Sequence, residues 1–382
     1  MADGEVRVRT LATFNTEYPA DTIEWCPVEP FRNILACGTY KLDKSIQDTS
    51  SIAYKQGRIY LLRVIDGGKL ELLQTLHTAA VLDMRWLQVV DSIESRTLLA
   101  IADSAGYLII YQLNSEGSQP ELKFITKSKV SDDGENVMAL SLDWSTEKYS
   151  TSNPLFSPHI IVSDSAGQVS HFTWRDTGDL MKNFTWPAHE FQAWIAAYDY
   201  DCSSLFYTGG DDSKFLGFDT RTKLSTPTFC KKDHTAGVTS IHNNVNKPFL
   251  LATGSYDHIM RLWDKRYFTQ PISTVNLEGG IWRLKWDPFT RQYLLAACMY
   301  NGFKIVLNDM LSSVVAEYNE HQSIAYGCDW SFLKQQDVLN LNIPDGETLI
   351  STCSYEDCSL KISVVNFWPG KWDIEQYDST YR

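Results

Sequence analysis

The chain has 382 residues, of which 43% are hydrophobic and 13% aromatic, so it is long and apolar enough to bury a sizeable core. Its formal net charge is −13 and its Lys and Arg residues form no cluster, which argues against direct binding to nucleic acid and favours a basic partner. No apolar run approaches the roughly 18 residues of a membrane span, so we expect no contact with a membrane.

The first predicted element is a strand near the N-terminus. The segment GEVRVRTLATF alternates polar and apolar residues, as a half-buried strand does. It stands before a series of repeats, the last of which ends in a predicted hairpin strand at residues 359–365. We expect residues 5–14 to pair beside that hairpin, because this pairing would remove the open sheet edge.

Seven copies of a short phrase follow this strand. Each copy runs from a small or apolar residue to a sixth residue, which is aromatic in six copies, and the copies start near residues 20, 81, 139, 193, 238, 281 and 325. The last four starts lie 43 to 45 residues apart, which is the period of WD-type repeats. We predict that each copy is the innermost strand of one blade.

Hairpins with a recurrent turn follow the phrases. The clearest copy is ATGSYDHIMRLWDKR (residues 252–266), where Gly, Ser and Asp form a turn and an alternating strand then ends in Trp-Asp. The segment GGDDSKFLGFDTR (residues 209–221) repeats it, with Phe218 in place of the Trp. The pattern predicts an all-β fold, namely one seven-bladed WD-type β-propeller over residues 1–382 whose ring is closed by the N-terminal strand.

Five tryptophans end copies of the inner-strand phrase. A large aromatic side chain that recurs at one repeat position is typical of a core, so we expect these five to pack between blades. They are Trp25, Trp86, Trp144, Trp286 and Trp330.

The cysteines and the first residues bear on location. Eight Cys are scattered without the spacing of a metal site, and MADGEVRVRT lacks the apolar stretch of a signal peptide. Small buried thiols in a reducing compartment are then expected, and we predict a cytoplasmic protein. The eight His show no paired metal spacing, and we expect neither a metal nor a cofactor.

Several segments are not generic to propellers. They include EFQAWIAA (residues 190–197), GGIWRLKW (residues 279–286) and AACMYNGFK (residues 296–304). Together with DTIEWCP (residues 21–27) and LSLDWST (residues 140–146), they run in order through the chain. The set resembles the diphthine methyl ester esterases of the diphthamide pathway, which are WD-repeat proteins.

The resemblance implies a carboxylic ester hydrolase. Its substrate would be a histidine of elongation factor two that carries an aminocarboxypropyl group ending in a trimethylammonium group and a methyl ester. Hydrolysis would free the carboxylate, which a separate amidating ligase would convert to diphthamide. Elongation factor two and that ligase are therefore the expected partners, and we expect the chain itself to be a monomer.

The residues alone leave a second function open. The chain has no Gly-x-Ser-x-Gly nucleophile elbow and no other recognisable hydrolase motif. Without the resemblance, these residues would predict a binding scaffold, and a non-catalytic WD-repeat scaffold that presents elongation factor two to the ligase remains the alternative.

Repeat position locates a candidate binding site. In a WD-type blade, the loops that enter the inner strands and the hairpin turns lie on one face of the ring. Trp194, Trp282 and Tyr326 share one repeat position in blades four, six and seven, and aromatic faces bind trimethylammonium groups by cation–π contacts. We predict that these three bind the substrate with Tyr256 and Glu190, although filling of space between blades is an equal alternative for each ring.

Three further residues are candidates for the chemistry. His258 lies past the turn Asp and is predicted as the general base, because an unperturbed imidazole pKa of about 6.5 suits that task. Asp211 stands beside Asp212, which fills the structural turn position, so Asp211 is free to orient the base or to pair with the cation. Arg283 is predicted to hold the ester carbonyl as charge develops. A solvated surface role is an equal alternative for all three.

Trp282 and Arg283 are neighbours in the sequence. Side chains alternate between the two faces of a regular strand, so only one of them would face a ligand. Both reach it only if the pleat is interrupted there.

Three other histidines are assigned to structure. His189, His234 and His321 stand where propeller blades use a His to bond the turn Asp of the hairpin. We therefore expect hydrogen-bonded structural roles for them.

Overall fold

The seven inner-strand phrases form the inner strands of seven antiparallel sheets. A computed structural model describes residues 6–42, 55–88, 96–115, 119–131, 136–145, 158–175, 177–309 and 312–367. Each innermost strand contacts the innermost strands of two neighbouring sheets, and the seventh contacts the first, so the sheets close into a ring. The predicted seven-bladed propeller is confirmed.

The strands are numbered in chain order, and all but the first fall into consecutive blades. The strand that precedes blade one is β1 (Arg7–Asn15). Blade one contains β2 (Ala20–Trp25), β3 (Ile34–Thr39), β4 (Lys41–Leu42), β5 (Lys55–Ile65) and β6 (Lys69–Ala79). Blade two contains β7 (Val81–Trp86), β8 (Thr97–Asp103), β9 (Tyr107–Asn114) and β10 (Glu121–Lys129). Blade three contains β11 (Ala139–Trp144), β12 (His159–Asp164), β13 (Gln168–Trp174) and β14 (Leu180–Pro187).

The other four blades follow the same plan. Blade four contains β15 (Ala193–Tyr198), β16 (Leu205–Gly210), β17 (Phe215–Asp219) and β18 (Phe229–Lys231). Blade five contains β19 (Val238–Asn243), β20 (Leu250–Ser255), β21 (Ile259–Asp264) and β22 (Ser273–Asn276). Blade six contains β23 (Arg283–Trp286), β24 (Tyr293–Ala297), β25 (Phe303–Leu307) and β26 (Ser313–Tyr318). Blade seven contains β27 (Ala325–Trp330), helix α1 (Gln335–Asn340), β28 (Glu347–Ser354) and β29 (Ser359–Asn366).

Closure of the ring depends on β1. This strand pairs antiparallel with β29, from Arg7 opposite Asn366 to Asn15 opposite Ser359, and is the outermost strand of blade seven. The predicted closure by an N-terminal strand is confirmed. The pairing covers the outer edge of β29, which would otherwise present unpaired backbone groups to solvent.

The tryptophans of the inner-strand phrase pack between blades, as predicted, and all five are buried. The indole N–H of Trp86 in blade two donates to the backbone carbonyl of Glu24 in blade one, at 3.1 Å. The same contact to the preceding blade joins Trp144 to Arg85 (3.1 Å), Trp286 to His242 (3.2 Å) and Trp330 to Lys285 (2.9 Å). The rings fill the space between sheets, and the N–H groups of these four tryptophans tie each blade to the one before it, whereas the Trp25 N–H has no such partner within the described residues.

A β-bulge opens the inner strand of almost every blade. The register with the second strand shifts immediately after the first residue of the phrase in blades one to five and within the first residues in blade seven. An extra residue at a bulge turns a side chain away from the regular alternation. The second residue of each phrase is therefore free to point toward the mouth of the ring.

The cysteines match the expected pattern in part. Five of the eight are buried, whereas Cys230 is exposed and Cys202 and Cys358 are partly exposed. Burial raises the pKa of Cys298 to about 12, which keeps its thiol protonated and unreactive. Among the described residues, no helix has the length and apolar character needed to cross a membrane.

Candidate functional site

Six aromatic side chains meet at one mouth of the ring. Consecutive ring centroids lie 4.9 to 6.4 Å apart, which is ordinary contact distance for aromatic pairs. We call this group the aromatic rim, and it consists of Trp194, Tyr256, Trp282, Tyr326, Tyr355 and Tyr40. The four aromatics predicted to bind the substrate, namely Trp194, Tyr256, Trp282 and Tyr326, are thus brought together.

Two local structures supply the rim. Trp194, Trp282 and Tyr326 are second residues of their phrases, where the bulges occur. The other three members follow second strands of blades, at the turns after β3, β20 and β28. The rim therefore arises where inner strands begin and hairpins turn, as the repeat pattern predicts.

Blade six shows how adjacent residues both reach the axis. The backbone N–H of Trp282 donates to the carbonyl of Ala297 at 2.8 Å, and Arg283 pairs with the same Ala297. Two residues thus oppose one, which interrupts the pleat. Trp282 joins the rim, while the Arg283 guanidinium lies in the channel, 5.8 Å from the centroid of the Trp282 ring.

Arg283 is committed to a partner across the ring. Its Nη2 lies 3.0 Å from Asp83 Oδ1 of blade two and donates to the Leu82 carbonyl at 3.2 Å. Both charged side chains are buried. A substrate that took this guanidinium would leave Asp83 as a buried unpaired charge, which is costly. The predicted contact of Arg283 with an ester carbonyl therefore has to share the guanidinium with Asp83.

A second charged layer lies further along the inner strands. Lys285 Nζ contacts Glu24 and lies 3.7 Å from Asp329 Oδ1, and Arg85 lies 3.6 Å from Glu24. These groups and Trp330 line a pocket at the opposite end of the channel from the rim. Ion pairs thus occupy the channel beyond the Arg283–Asp83 pair. A ligand that enters at the rim would reach the Arg283–Asp83 pair before this second layer.

Asp21 is a candidate site residue that the pattern of aromatic residues does not reveal. It is the second residue of the blade-one phrase, so it holds the same repeat position as Trp194 and Trp282. Its side chain is buried, with 6% of the residue exposed, and it makes no hydrogen bond within the described part of the chain. Aligning all seven phrases by position, rather than only those with aromatics, would have found it.

Asp21 is electrostatically coupled to the rim. Burial raises the pKa of its carboxyl to about 7, the charge of Arg283 opposes this shift, and the charge of Asp83 adds to it. Burial also raises the pKa values of the rim tyrosines, and the Asp21 carboxylate raises those of Tyr326 and Tyr355 further. Asp21 is therefore a buried carboxylate close enough to the rim to act on its tyrosines, with a pKa of about 7.

Asp211 supports the rim. Its Oδ1 accepts the indole N–H of Trp194 at 3.1 Å, and its charge raises the pKa of Tyr256 beyond the effect of burial. The carboxylate is exposed at the mouth, where it adds negative charge beside two aromatic rings. It is well placed to attract a cation.

Two predicted residues lie apart from the rim contacts. Glu190 pairs with Lys214 at 2.6 Å and is largely exposed. His258 is exposed on its turn with a positive φ of 69°. Among the described residues, the His258 ring forms no ring contact with the rim, and the Glu190 carboxylate forms no hydrogen bond with it. The structure thus leaves their predicted roles without a direct contact to the other candidates.

The three histidines predicted to be structural have hydrogen-bonding partners. The Nδ1 atoms of His189 and His234 lie 2.8 Å and 3.0 Å from the turn carboxylates of Asp212 and Asp257. Both rings also reach a threonine hydroxyl in the neighbouring strand. His321 instead bonds two hydroxyls of β28, one of which reaches the turn Asp of its blade.

No group of three or more His, Cys, Asp or Glu side chains within the described ranges is arranged to hold a metal ion. The site that the structure assembles consists of rings, carboxylates and one paired guanidinium. The chemistry of such a set allows it to bind an organic cation and to move a proton.

The chain is similar to several proteins that share one name. It is 40% identical to "Diphthine methyltransferase" of Mus musculus over 85% of this chain and 70% of the relative. It is 34% identical to "Diphthine methyltransferase homolog" of Dictyostelium discoideum, over 91% of this chain and 96% of the relative. The chain belongs to the diphthine methyltransferase family.

Two further similarities concern the fold of this family member. The family described as "WD domain, G-beta repeat" matches residues 225–264, which include most of the clearest hairpin. A chain in the crystal structure of the mitotic checkpoint complex superposes with a TM-score of 0.68 at 16% identity, covering 96% of this chain and 95% of that chain. This second similarity supports the propeller alone.

Proposed function

We propose that this protein acts in diphthamide biosynthesis and hydrolyses the methyl ester of diphthine methyl ester on elongation factor two. The names of its relatives connect the family with diphthine. The observation that carries the reaction is the aromatic rim together with a buried carboxylate, Asp21, at the same repeat position as three of its rings. The rim suits the trimethylammonium group, and the carboxylate suits the adjacent ester.

The rim supports recognition of a quaternary cation in two ways. Ring faces attract a cation by about 0.5 to 2 kcal/mol each, and more where water is excluded. Asp211 adds a carboxylate beside Trp194, so that a trimethylammonium group would meet both rings and negative charge. We assign Trp194, Tyr256, Trp282 and Tyr326 to this contact.

The proposed substrate also determines the expected protein partner and the cellular location. A translation factor is met in the cytoplasm, so we propose that the protein works there, transiently bound to elongation factor two. The product carboxylate would then pass to the amidating ligase.

Mass spectrometry of the modified factor tests the reaction. Elongation factor two that carries the methyl ester is incubated with purified protein, and the mass of the peptide with the modified histidine is measured. We expect a loss of one methylene mass together with release of methanol. A parallel sample without the protein controls for spontaneous hydrolysis.

Two outcomes would contradict the proposal. A gain of one methyl group in the presence of S-adenosylmethionine, starting from the unmethylated precursor, would assign methyl transfer, as the relatives are named. An unchanged ester in a stable complex of the two proteins would favour the scaffold that presents elongation factor two to the ligase.

A further inference from the structure

We propose that Asp21 is the general base of this site and activates the water that attacks the ester. The inference rests on the proposed ester hydrolysis and assigns its proton transfer to a residue outside the aromatic set. The first argument is position, because Asp21 shares its repeat position with Trp194, Trp282 and Tyr326, lies at the β-bulge of its strand and is buried.

The second argument is availability. Three other carboxylates near the mouth have partners: Asp83 holds Arg283, Asp211 holds the Trp194 indole N–H, and Glu190 holds Lys214. Asp21 forms no hydrogen bond or ion pair within the described residues. An unpartnered buried carboxylate costs folding free energy, so its presence beside the ligand mouth points to a functional role.

The third argument is proton affinity. A base with a pKa near 7 is half deprotonated at neutral pH and still holds a proton strongly enough to remove it from water. Burial among apolar and aromatic groups gives Asp21 this property, and the Arg283 charge keeps the value from rising further. The titratable and charged groups around it are Tyr40, Asp83, Tyr256, Arg283, Tyr326, Cys353 and Tyr355.

The reaction then balances without a further reagent. The Asp21 carboxylate takes one proton from water as the water oxygen bonds to the ester carbonyl carbon. The resulting tetrahedral oxyanion collapses, the bond to the methoxy oxygen breaks, and Asp21 returns its proton to that oxygen to give methanol. The new carboxylic acid ionises in solvent, and its charge is then repelled by the Asp21 carboxylate, which favours release of the product.

The test combines one substitution with a pH profile. Asp21→Asn keeps the shape of the side chain and removes the base, so kcat should fall by about 100-fold or more while KM changes little. In the unsubstituted protein, kcat/KM should fall as pH decreases through about 7, because Asp21 becomes protonated. Asp345→Asn, at an exposed carboxylate outside the rim, is the matched control.

Thermal unfolding separates a catalytic from a structural role. A carboxyl whose pKa is raised on folding contributes most stability below its unfolded value, and that contribution is lost as pH rises through the folded value. Asp21→Asn should therefore unfold at the same or a higher temperature than the unsubstituted protein at pH 8, with no such advantage near pH 4. If Asp21 were needed only for folding, Asp21→Asn would unfold at a lower temperature than the unsubstituted protein at pH 8.

The outcomes distinguish this inference from the proposed function. If the unsubstituted protein releases no methanol, ester hydrolysis itself is wrong. If it does so and Asp21→Asn retains its kcat, only the assignment of Asp21 is overturned. A loss of kcat in His258→Ala with Asp21→Asn unaffected would transfer the role of base to His258. If Asp21→Asn does not fold, a pH profile that stays flat between pH 6 and 8 overturns the assignment.

Discussion

At the scale of single residues, one repeat position carries most of the site. The second residue of the inner-strand phrase is Trp194, Trp282 or Tyr326 in three blades and Asp21 in blade one. The backbone gives each of these side chains a similar direction. Their chemical character therefore differs from blade to blade, while their placement is shared. A symmetrical scaffold thus presents an asymmetrical set of side chains at its mouth.

Trp282 is the central ring of the rim, because it contacts Trp194, Tyr256 and Tyr326. We expect Trp282→Ala to raise KM by about two- to thirty-fold, which corresponds to one lost cation–π contact, with a smaller effect on kcat. Steady-state hydrolysis of the methyl ester on elongation factor two measures both constants.

Leu82→Ala is the control for this substitution. Leu82 has the same repeat position in blade two but no ring, so its loss should leave KM nearly unchanged. An equal rise of KM in both variants would mean that the site responds to packing at this position and not to aromatic faces.

Residue types at the rim could be predicted, but their partners could not. Repetition makes Trp194 and Trp282 visible, because a ring that recurs at a position with leucine elsewhere stands out. The partner of Arg283 is Asp83, 200 residues earlier in the chain and across the ring, and sequence spacing carries no sign of it. The burial that raises the pKa of Asp21 likewise arises only when the ring is assembled.

At the scale of elements, β1 has the largest effect on the stability of the ring for its length. Its residues Leu11 and Phe14 pack against the core between blades seven and one, and Val8 packs on the core between blades six and seven. Full burial of one such side chain contributes about 1.5 to 3 kcal/mol to stability. Loss of these three partly buried side chains should therefore cost several kcal/mol in total. That is a large share of the stability of a typical protein.

We therefore expect deletion of residues 1–15 to lower the free energy of unfolding of the whole ring by several kcal/mol. Urea unfolding followed by tryptophan fluorescence measures this, since a tryptophan is buried between most blades. Deletion of residues 1–5 alone keeps all of β1 and should leave the unfolding midpoint nearly unchanged. Identical midpoints for both deletions would contradict the closing role of β1.

The sequence raises an interrupted pleat only as a condition for blade six, and it does not locate the bulges of the other blades. Alternation predicts that neighbouring Trp282 and Arg283 point to opposite faces, which would exclude one of them from the axis. Pairing of both with Ala297 removes this conflict. A bulge depends on register with the second strand, and the phrase alone does not contain that register.

At the scale of the whole molecule, the repeat period predicts the fold well. Blades four to seven keep a period of 43 to 45 residues, and the earlier copies retain the same phrase despite longer spacing. Because each blade buries its faces only against its neighbours, seven phrases require seven blades and a closed ring. Fold thus follows from repetition, whereas the site depends on the differences between repeats.

The net charge of −13 makes a prediction about binding. Attraction to a basic docking surface is screened by salt, because the Debye length falls from about 10 Å at 0.1 M to about 3 Å at 1 M. We expect the Kd for elongation factor two to rise by about threefold or more across that range. Titration calorimetry at several NaCl concentrations measures it, with sucrose at equal osmolality as the control.

A Kd that does not change with NaCl would contradict this prediction. The acidic balance would then serve solubility, and docking would rest on the aromatic rim and its apolar surroundings.

Closure by β1 also has a consequence for biosynthesis. Residues 7–15 leave the ribosome early, whereas their hydrogen-bonding partners at residues 359–366 are translated hundreds of codons later. At about 5 to 20 residues per second, the opening strand waits on the order of a minute for its partner. Blades two to six can stack on the nascent chain in that time, but the seam forms only once blade seven has emerged. A half-apolar strand therefore stays unpaired while the rest of the chain is made. We expect cellular factors that bind nascent chains to act on this segment first.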